Sequence, residues 1–147
     1  RGNMDGKDDF DVQFFLPYLL NQASEVASGG FQKIYKDSYG MLRTDWRVLF
    51  HLGIYGRMTA RDIGRMAQVH KTKISRAVAR LEARRFLLRE EDAADRRVEH
   101  LTLTSAGQAA YRDLRGVARN YEARLVAGLD PQDVVALRRA LLHLSGR

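Results

Sequence analysis

The 147-residue chain is long enough for one globular domain with a hydrophobic core, and 45% of its residues are hydrophobic and 29% charged. It contains no cysteine, which excludes disulfides, thiol-based redox sensing and thiolate metal sites. The formal net charge is +7, and residues 61–85 hold eight basic residues against two acidic ones, so the excess of cations is concentrated in one segment.

Two helices are predicted before this basic segment. The polar residues up to position 11 are expected to be mobile. An apolar helical pattern then runs from about Pro17 to Tyr39, and Gly40 is a stop signal. A second helix is predicted from Thr44, interpreted as its N-cap, to Gly56. The first helix carries more apolar surface than one small domain covers, which indicates a partner subunit.

The basic segment predicts two short amphipathic helices joined by a turn. Thr59 is placed to cap the first helix, and the helical pattern breaks at residues 68–70 before it resumes near Lys71. At about 100° per residue, the second helix has one apolar face, formed by Ile74, Ala77, Val78 and Leu81. Its opposite face is made of small polar residues and long cations: Thr72, Lys73, Ser75, Arg76, Ala79 and Arg80. This combination is typical of a helix-turn-helix whose second helix enters a DNA groove.

Two strand-like runs follow the second helix. The helical period ends at Phe86-Leu87-Leu88, residues 90–97 are charged and turn-like, and Val98 to Leu103 is the second run. Two strands around a charged tip predict a β wing beside the helix-turn-helix.

Two further helices are predicted after the wing. The first begins at Thr104 or Ser105 and continues to about Ala127, with Gly128 as its stop. Asp130 and the proline that follows it are start signals for the last helix. Both helices are apolar beyond the needs of one small lobe, as is the first helix of the chain.

Two stretches carry a resemblance to a known family, HKTKISRAVARLEARRFLLRE and then DAADRRVEHLTLTSAG. Through them, and through the positions of the flanking helices, most of the chain resembles the MarR (multiple antibiotic resistance regulator) family of winged-helix transcription regulators. The second fits the family pattern of Asp, any residue, Arg, five residues and Leu-Thr, here formed by Asp95, Arg97, Leu103 and Thr104.

The resemblance implies a mainly α fold with a small two- or three-stranded β wing and long terminal dimerisation helices. It implies a single MarR-like domain over residues 1–147. About 44–104 would form the winged helix-turn-helix lobe, and about 12–40 and 105–147 the helical dimerisation region of a homodimer.

Double-stranded DNA is the predicted partner, and the expected contacts come from the helix-turn-helix and the wing. They are Arg65, Lys71, Thr72, Lys73, Ser75, Arg76 and Arg80, together with Arg96 and Arg97. Thr72, Lys73 and Arg76 are expected at base edges, and Lys71 and Arg65 at phosphates. By the family pattern, Asp95 is expected to orient Arg97.

A small-molecule effector is the second predicted partner. Many MarR-like proteins bind small aromatic acids in a crevice between the dimer base and the DNA-binding lobe. The resemblance puts this crevice near Tyr39, Arg43, Trp46, Arg47 and His51, for which core packing with surface arginines is the alternative interpretation. The predicted function is therefore a dimeric repressor that a small, aromatic ligand releases from a pseudo-palindromic operator.

Two other classes of protein remain as alternatives. An enzyme is disfavoured because the chain has no glycine-rich phosphate loop, no cysteine nucleophile and no paired histidines, so no catalytic residue, metal site or cofactor is predicted. A winged helix used only for protein contacts is disfavoured because such domains often lack a cationic recognition face.

The apolar run at residues 12–20 is too short to span a membrane and follows acidic residues, so a cytoplasmic protein without membrane contact is expected.

Overall fold

The computed structural model describes residues 9–147, so the expectation of mobility at residues 1–8 lies outside the described residues. The predicted mainly α fold with a small wing is confirmed. The elements are α1 (Leu16–Tyr39), α2 (Arg43–Tyr55), β1 (Met58–Thr59), α3 (Ala60–Ala67), α4 (Lys71–Ala83), β2 (Leu87–Glu91), β3 (Glu99–Leu103), α5 (Ser105–Leu125) and α6 (Pro131–Leu144). They belong to two compact units that divide between Gly40 and Met41.

The first unit is dominated by α1. A short 3₁₀ turn precedes it, in which the Asp11 carboxylate accepts a hydrogen bond from the Gln13 amide at 3.0 Å. The helix ends at Gly40, which adopts a left-handed conformation with φ of 63° and donates its N–H to the Lys36 carbonyl at 2.7 Å, as the stop signal predicted. Large apolar side chains of α1 remain exposed, and Val26 is 74% accessible.

The start of α2 differs from the prediction. The helix begins at Arg43 with Leu42 as its N-cap residue, so the assignment of Thr44 as the cap is wrong. Asp45 is the third residue of the helix, and its carboxylate accepts the Leu42 N–H at 3.0 Å, which satisfies a donor that the helix leaves unpaired. The chain leaves α2 at Gly56, where φ is 77°.

The core of the second unit lies between α2, α3, α4 and the wing. All four residues of the predicted apolar face of α4 are buried, with no more than 1% of each accessible. Val48, Leu49 and Leu52 of α2 are equally inaccessible. Burying a large aliphatic side chain contributes about 1.5–3 kcal/mol, so this face fixes which side of α4 remains in solvent.

The wing is a three-stranded antiparallel sheet in the order β1-β3-β2. Leu87 pairs with Leu103 and Glu91 with Glu99, so β2 and β3 form the predicted hairpin. Met58 and Thr59 add a short edge strand by pairing with Leu101 and His100. Thr59 also accepts the Asp62 N–H at 3.1 Å as the N-cap of α3, so one residue joins the sheet to the helix-turn-helix.

The last two helices leave much apolar surface uncovered. α5 ends at Leu125, before the predicted stop at Gly128, and α6 starts directly after Asp130, as predicted. On α6, Leu137, Leu141 and Leu144 are 45%, 40% and 61% accessible.

Among residues 9–147, no helix has the length and apolar character needed to cross a membrane.

Candidate nucleic-acid interface

The turn between α3 and α4 is closed by local hydrogen bonds. Gln68 adopts a left-handed conformation with φ of 55°, and the Val69 N–H donates to the Gly64 carbonyl at 3.0 Å. His70 then caps α4, because its Nδ1 accepts the Thr72 N–H at 3.2 Å. The first turn of α4 is thereby fixed relative to α3, as a recognition helix requires.

The outer face of α4 brings together most of the residues predicted to contact DNA. Lys71, Thr72, Lys73, Ser75 and Arg76 are all exposed, while the opposite face of the same helix is buried. Short polar side chains at 72 and 75 leave room for close approach, and the neighbouring cations carry hydrogen-bond donors. The arrangement suits a polyanion with acceptor groups on its surface.

Beside this face, a groove of about 540 Å³ runs between α3 and α4. Arg61, Arg65 and Lys71 line it together with apolar residues such as Val69 and Ile74. Arg65 is paired with Asp62 at 2.6 Å, yet its side chain is 71% accessible. Such an exposed pair is weak and readily exchanged for another anion, so Arg65 can turn towards a phosphate.

Arg80 differs from the other cations of the predicted set. Its guanidinium donates to the Asp45 carboxylate through Nε at 2.9 Å and through Nη2 at 2.8 Å. Its side chain is 39% accessible, whereas that of Asp45 is only 3% accessible. Arg80 therefore lies at the margin of the exposed face, with one edge of its guanidinium held from the inside.

The wing tip is built around two aspartates with different tasks. Asp92 holds the loop: one oxygen accepts the N–H groups of Ala94 and Asp95, both at 3.0 Å, and the other lies 2.9 Å from Nε2 of His100. The contact with His100, followed by the two N–H donors, lowers the pKa of Asp92 below its ordinary value.

Asp95 holds an arginine instead. Its two oxygens accept hydrogen bonds from Nε and Nη2 of Arg97 at 3.1 and 3.2 Å, and Arg97 also donates its backbone N–H to the same carboxylate. These contacts, the side-chain ones first, lower the pKa of Asp95. Arg97 is nevertheless 91% accessible, and Arg96 beside it is exposed. The wing thus presents two cations, and Asp95 favours one orientation of Arg97 by hydrogen bonds.

Four of the five residues predicted to line an effector crevice belong to α2: Arg43, Trp46, Arg47 and His51. Trp46 stacks edge-on against Phe50, which in turn contacts Tyr111 of α5, with centroids 5.3 Å apart in each pair. His51 donates a ring N–H to the Arg47 carbonyl at 2.6 Å and lies beside Tyr55. Arg43 is exposed at the helix start, and Tyr39 belongs to the first unit. The crevice that would combine them stays a prediction.

Two contributors to this surface were missed by the sequence reasoning. An acidic residue at the start of α2 was visible, but its partner Arg80 lies 35 positions later, and no local pattern links them. The capping role of His70 had a detectable signal, since the residue stands directly before the resumed helical period. Histidine is not among the usual N-cap residues, so this signal is weak.

Comparison with known proteins adds independent information. The MarR family model matches residues 39–98. The crystal structure of a MarR family transcriptional regulator from Silicibacter pomeroyi is 30% identical over 92% of this chain and 98% of that one, with a TM-score of 0.78. A structure of BpsR from Bordetella bronchiseptica, concerned with the regulation of its DNA binding by 6-hydroxynicotinic acid, is 25% identical over 95% of this chain and 99% of that one, with a TM-score of 0.87.

Two HTH-type transcriptional regulators of Bacillus subtilis are also similar. YwoH is 25% identical over 90% of this chain and 93% of its own length. YwaE is 25% identical over 63% of this chain, and the match spans only 54% of its own length. The likeness thus extends over nearly all of YwoH and about half of YwaE.

Proposed function

The chain belongs to the MarR family of transcriptional regulators, and we propose that it is a dimeric repressor released from a pseudo-palindromic operator by a small aromatic acid. The observation that carries this proposal is the exposed polar and cationic face of α4, set on a helix whose other side is wholly buried. The helix is anchored and its outer surface is free, which is the arrangement that major-groove recognition uses.

Within the operator, the start of α4 meets base edges. Thr72, Lys73 and Arg76 stand in its first two turns, where a recognition helix inserted by its N-terminal end approaches the groove floor. Arg76 is suited to two hydrogen bonds with a guanine, whereas Lys71 and Arg65 bind phosphates and fix the register.

The wing supplies a second contact beside the first. Arg96 and Arg97 project from its tip, and the pairing of Arg97 with Asp95 restricts the orientations of this side chain. An arginine directed into a narrow, A·T-rich minor groove gains from the enhanced negative potential there. The wing therefore adds a preference for A·T pairs at the flanks of each half-site.

Dimerisation places two such lobes on one DNA molecule. The exposed apolar side chains of α1 and α6 support a second copy of the chain as their cover, because soluble proteins rarely leave large apolar patches in water. Two recognition helices then occupy half-sites about 34–36 Å apart, or a multiple of one DNA turn, which makes the operator a pseudo-palindrome.

Two observations support release by an aromatic acid: the residues that α2 carries, and a relative whose fold this chain resembles. Arg43, Arg47 and His51 recur at four-residue spacing on α2, and Trp46 lies in the same segment of the helix. Cationic groups and an aromatic side chain on one helix suit an anionic ring compound. BpsR, of similar fold and regulated in its DNA binding by 6-hydroxynicotinic acid, supports the same class of ligand for this chain.

The proposal is tested by selection of DNA fragments from a random duplex library. A repressor of this type enriches a two-fold symmetric motif, and its affinity for that motif falls steeply with salt. The alternative of a protein-contact module predicts no enriched motif and only weak binding that is independent of sequence. Titration of the complex with monocarboxylic aromatic acids, including 6-hydroxynicotinic acid, tests release separately, with benzyl alcohol as an uncharged control.

A further inference from the structure

Asp45 is the only charged residue that is buried among residues 9–147, with 2% of its surface accessible. Its carboxylate accepts hydrogen bonds from the Leu42 N–H at the start of α2 and from Nε and Nη2 of Arg80 on α4. A buried carboxylate is costly unless it is paired and hydrogen-bonded, and here both conditions are met. The helix start and the recognition helix are therefore joined through one charged group.

The guanidinium of Arg80 has two edges with different surroundings. Nε and Nη2 face Asp45, whereas Nη1 has no hydrogen-bond partner in the described part of the chain. Arg80 also follows Arg76 by four positions, so both side chains lie on one side of α4, and 39% of the Arg80 side chain is accessible. One edge is thus fixed from within while the other faces the surface on which DNA is expected.

The contact of Nε and Nη2 with Asp45 restricts the positions that Nη1 of Arg80 can reach. An arginine held through a bidentate contact loses most of its rotamer freedom before any ligand arrives, so a further hydrogen bond costs little additional entropy. The last turns of α4 lie farther from the groove floor than the helix start, so the group within reach there is a phosphate of the groove edge.

We propose that Asp45 is a positioning residue for operator binding, which holds Arg80 so that Nη1 donates to a DNA phosphate at the edge of the major groove. The inference rests on the proposed function, because it requires a DNA-bound state. It also gives α2 a direct influence on the operator: a displacement of the start of α2 shifts Asp45, and Arg80 moves away from its phosphate. Four of the residues proposed for effector binding, Arg43, Trp46, Arg47 and His51, lie on this same helix.

The test uses Asp45→Asn in the full-length protein, because asparagine keeps the shape and the acceptor for the Leu42 N–H but removes the charge that holds Arg80. Affinity for the selected operator is measured over a series of salt concentrations. We expect a loss of about tenfold and a shallower salt dependence, by about one unit of slope for each half-site, since one phosphate contact is lost. Glu122→Gln is the matched control, because it neutralises an arginine-paired carboxylate on α5, away from α4.

The slope distinguishes positioning from folding. A variant that is merely less stable binds less at every salt concentration and keeps the wild-type slope, because the phosphate contacts of its folded fraction are unchanged. Wild-type affinity, or lower affinity with the wild-type slope, therefore overturns the inference. If the wild-type protein binds no operator at all, this result contradicts the proposed function, and the inference, which depends on that function, is contradicted as well.

A second pair of variants tests the inference in a way that separates the phosphate contact from a loss of folding. Arg80→Gln leaves Asp45 buried without its partner, whereas Asp45→Asn combined with Arg80→Gln leaves two neutral amides in contact. We expect the double variant to have the same shallow slope as Asp45→Asn, because the position of residue 80 no longer matters once its charge is gone. A folded double variant with the wild-type slope contradicts the phosphate contact of Arg80.

Discussion

The ring of Tyr111 on α5 lies so close to Gly53 on α2 that a Cβ at position 53 would overlap the ring. Tyr111 is 6% accessible and also contacts Phe50, so it has little room to move. The glycine is therefore what allows α2 and α5 to approach each other at this point.

Gly53→Ala should destabilise the protein by about 1–3 kcal/mol, as overpacking of a filled core does. Gly116→Ala on α5 is the control, because a Cβ there meets no described atom within 4 Å, and alanine in a helix is favoured over glycine by about 1 kcal/mol. Urea unfolding, monitored by circular dichroism, measures the stability of both variants. Equal stability of Gly53→Ala and wild type would show that the helices separate at no cost.

Periodicity was sufficient to predict the helices and the inward face of α4. The positions of Ile74, Ala77, Val78 and Leu81 repeat at the helical period, and burial of a continuous apolar stripe leaves little choice of orientation. The wing hairpin could also be predicted from the sequence, because two strand-like runs flank a charged turn. Local pattern and tertiary packing demand the same structure in these segments.

Contacts between residues distant in the chain were not predictable in this way. The β1 strand has only two residues, and it exists because Met58 and Thr59 pair with β3, more than 40 positions later. The hydrogen bonds between Asp45 and Arg80 depend on how α2 crosses α4, which no single segment encodes. The Thr44 cap prediction was wrong for a different, local reason: the Asp45 side chain accepts the Leu42 N–H, so the helix start lies two residues earlier than a cap at Thr44 implies.

Arg76 and Lys71 should respond differently to replacement. Arg76→Ala is expected to cost about 1–3 kcal/mol of binding free energy and to relax the preference at one base position in each half-site. Lys71→Ala should weaken binding to all sequences alike, because a phosphate contact carries no sequence information. Affinities for a panel of single-base operator variants measure both effects. If Arg76→Ala binds the wild-type operator with undiminished affinity, the assignment of this face to the bases is wrong.

The apolar stripe of α6 should be needed for dimerisation. Leu137 and Leu141 lie one turn apart on the same side of the helix and are 45% and 40% accessible. Replacement of both by glutamate places charges in the expected interface, so the protein should sediment as a monomer at micromolar concentration. Arg139→Glu, which introduces an acid on another side of α6, should remain dimeric. A dimeric double variant would exclude this stripe from the interface.

The order of the wing tip should depend on pH through Asp92. Its pKa is lowered, first by the hydrogen bond with His100 and then by the N–H groups of Ala94 and Asp95, so the folded wing favours the carboxylate. The stabilisation is therefore present above the ordinary aspartate value of 3.8 and is lost as the pH falls through the lower value of the folded state. The amide NMR shift of Ala94 should titrate with a midpoint below 3.8, and Asp92→Asn should abolish this transition. A midpoint at or above the ordinary value would contradict the hydrogen bonds seen here.

Arg96 and Arg97 should determine the preference for flanking sequence. Asp95 accepts two hydrogen bonds from the Arg97 side chain, which remains 91% accessible, so one orientation of Arg97 is favoured before DNA binds. Replacement of both arginines by alanine should lower affinity strongly and remove the preference for A·T-rich flanks, because a narrow minor groove attracts inserted cations. Asp95→Ala keeps both cations but frees Arg97, so it should retain much of the affinity and lose part of the preference. Binding of the three proteins to operators with A·T-rich and G·C-rich flanks, at one salt concentration, measures these effects, and sedimentation verifies that each remains dimeric. An equal loss on both kinds of flank would mean that the wing supplies charge without reading the shape of the groove.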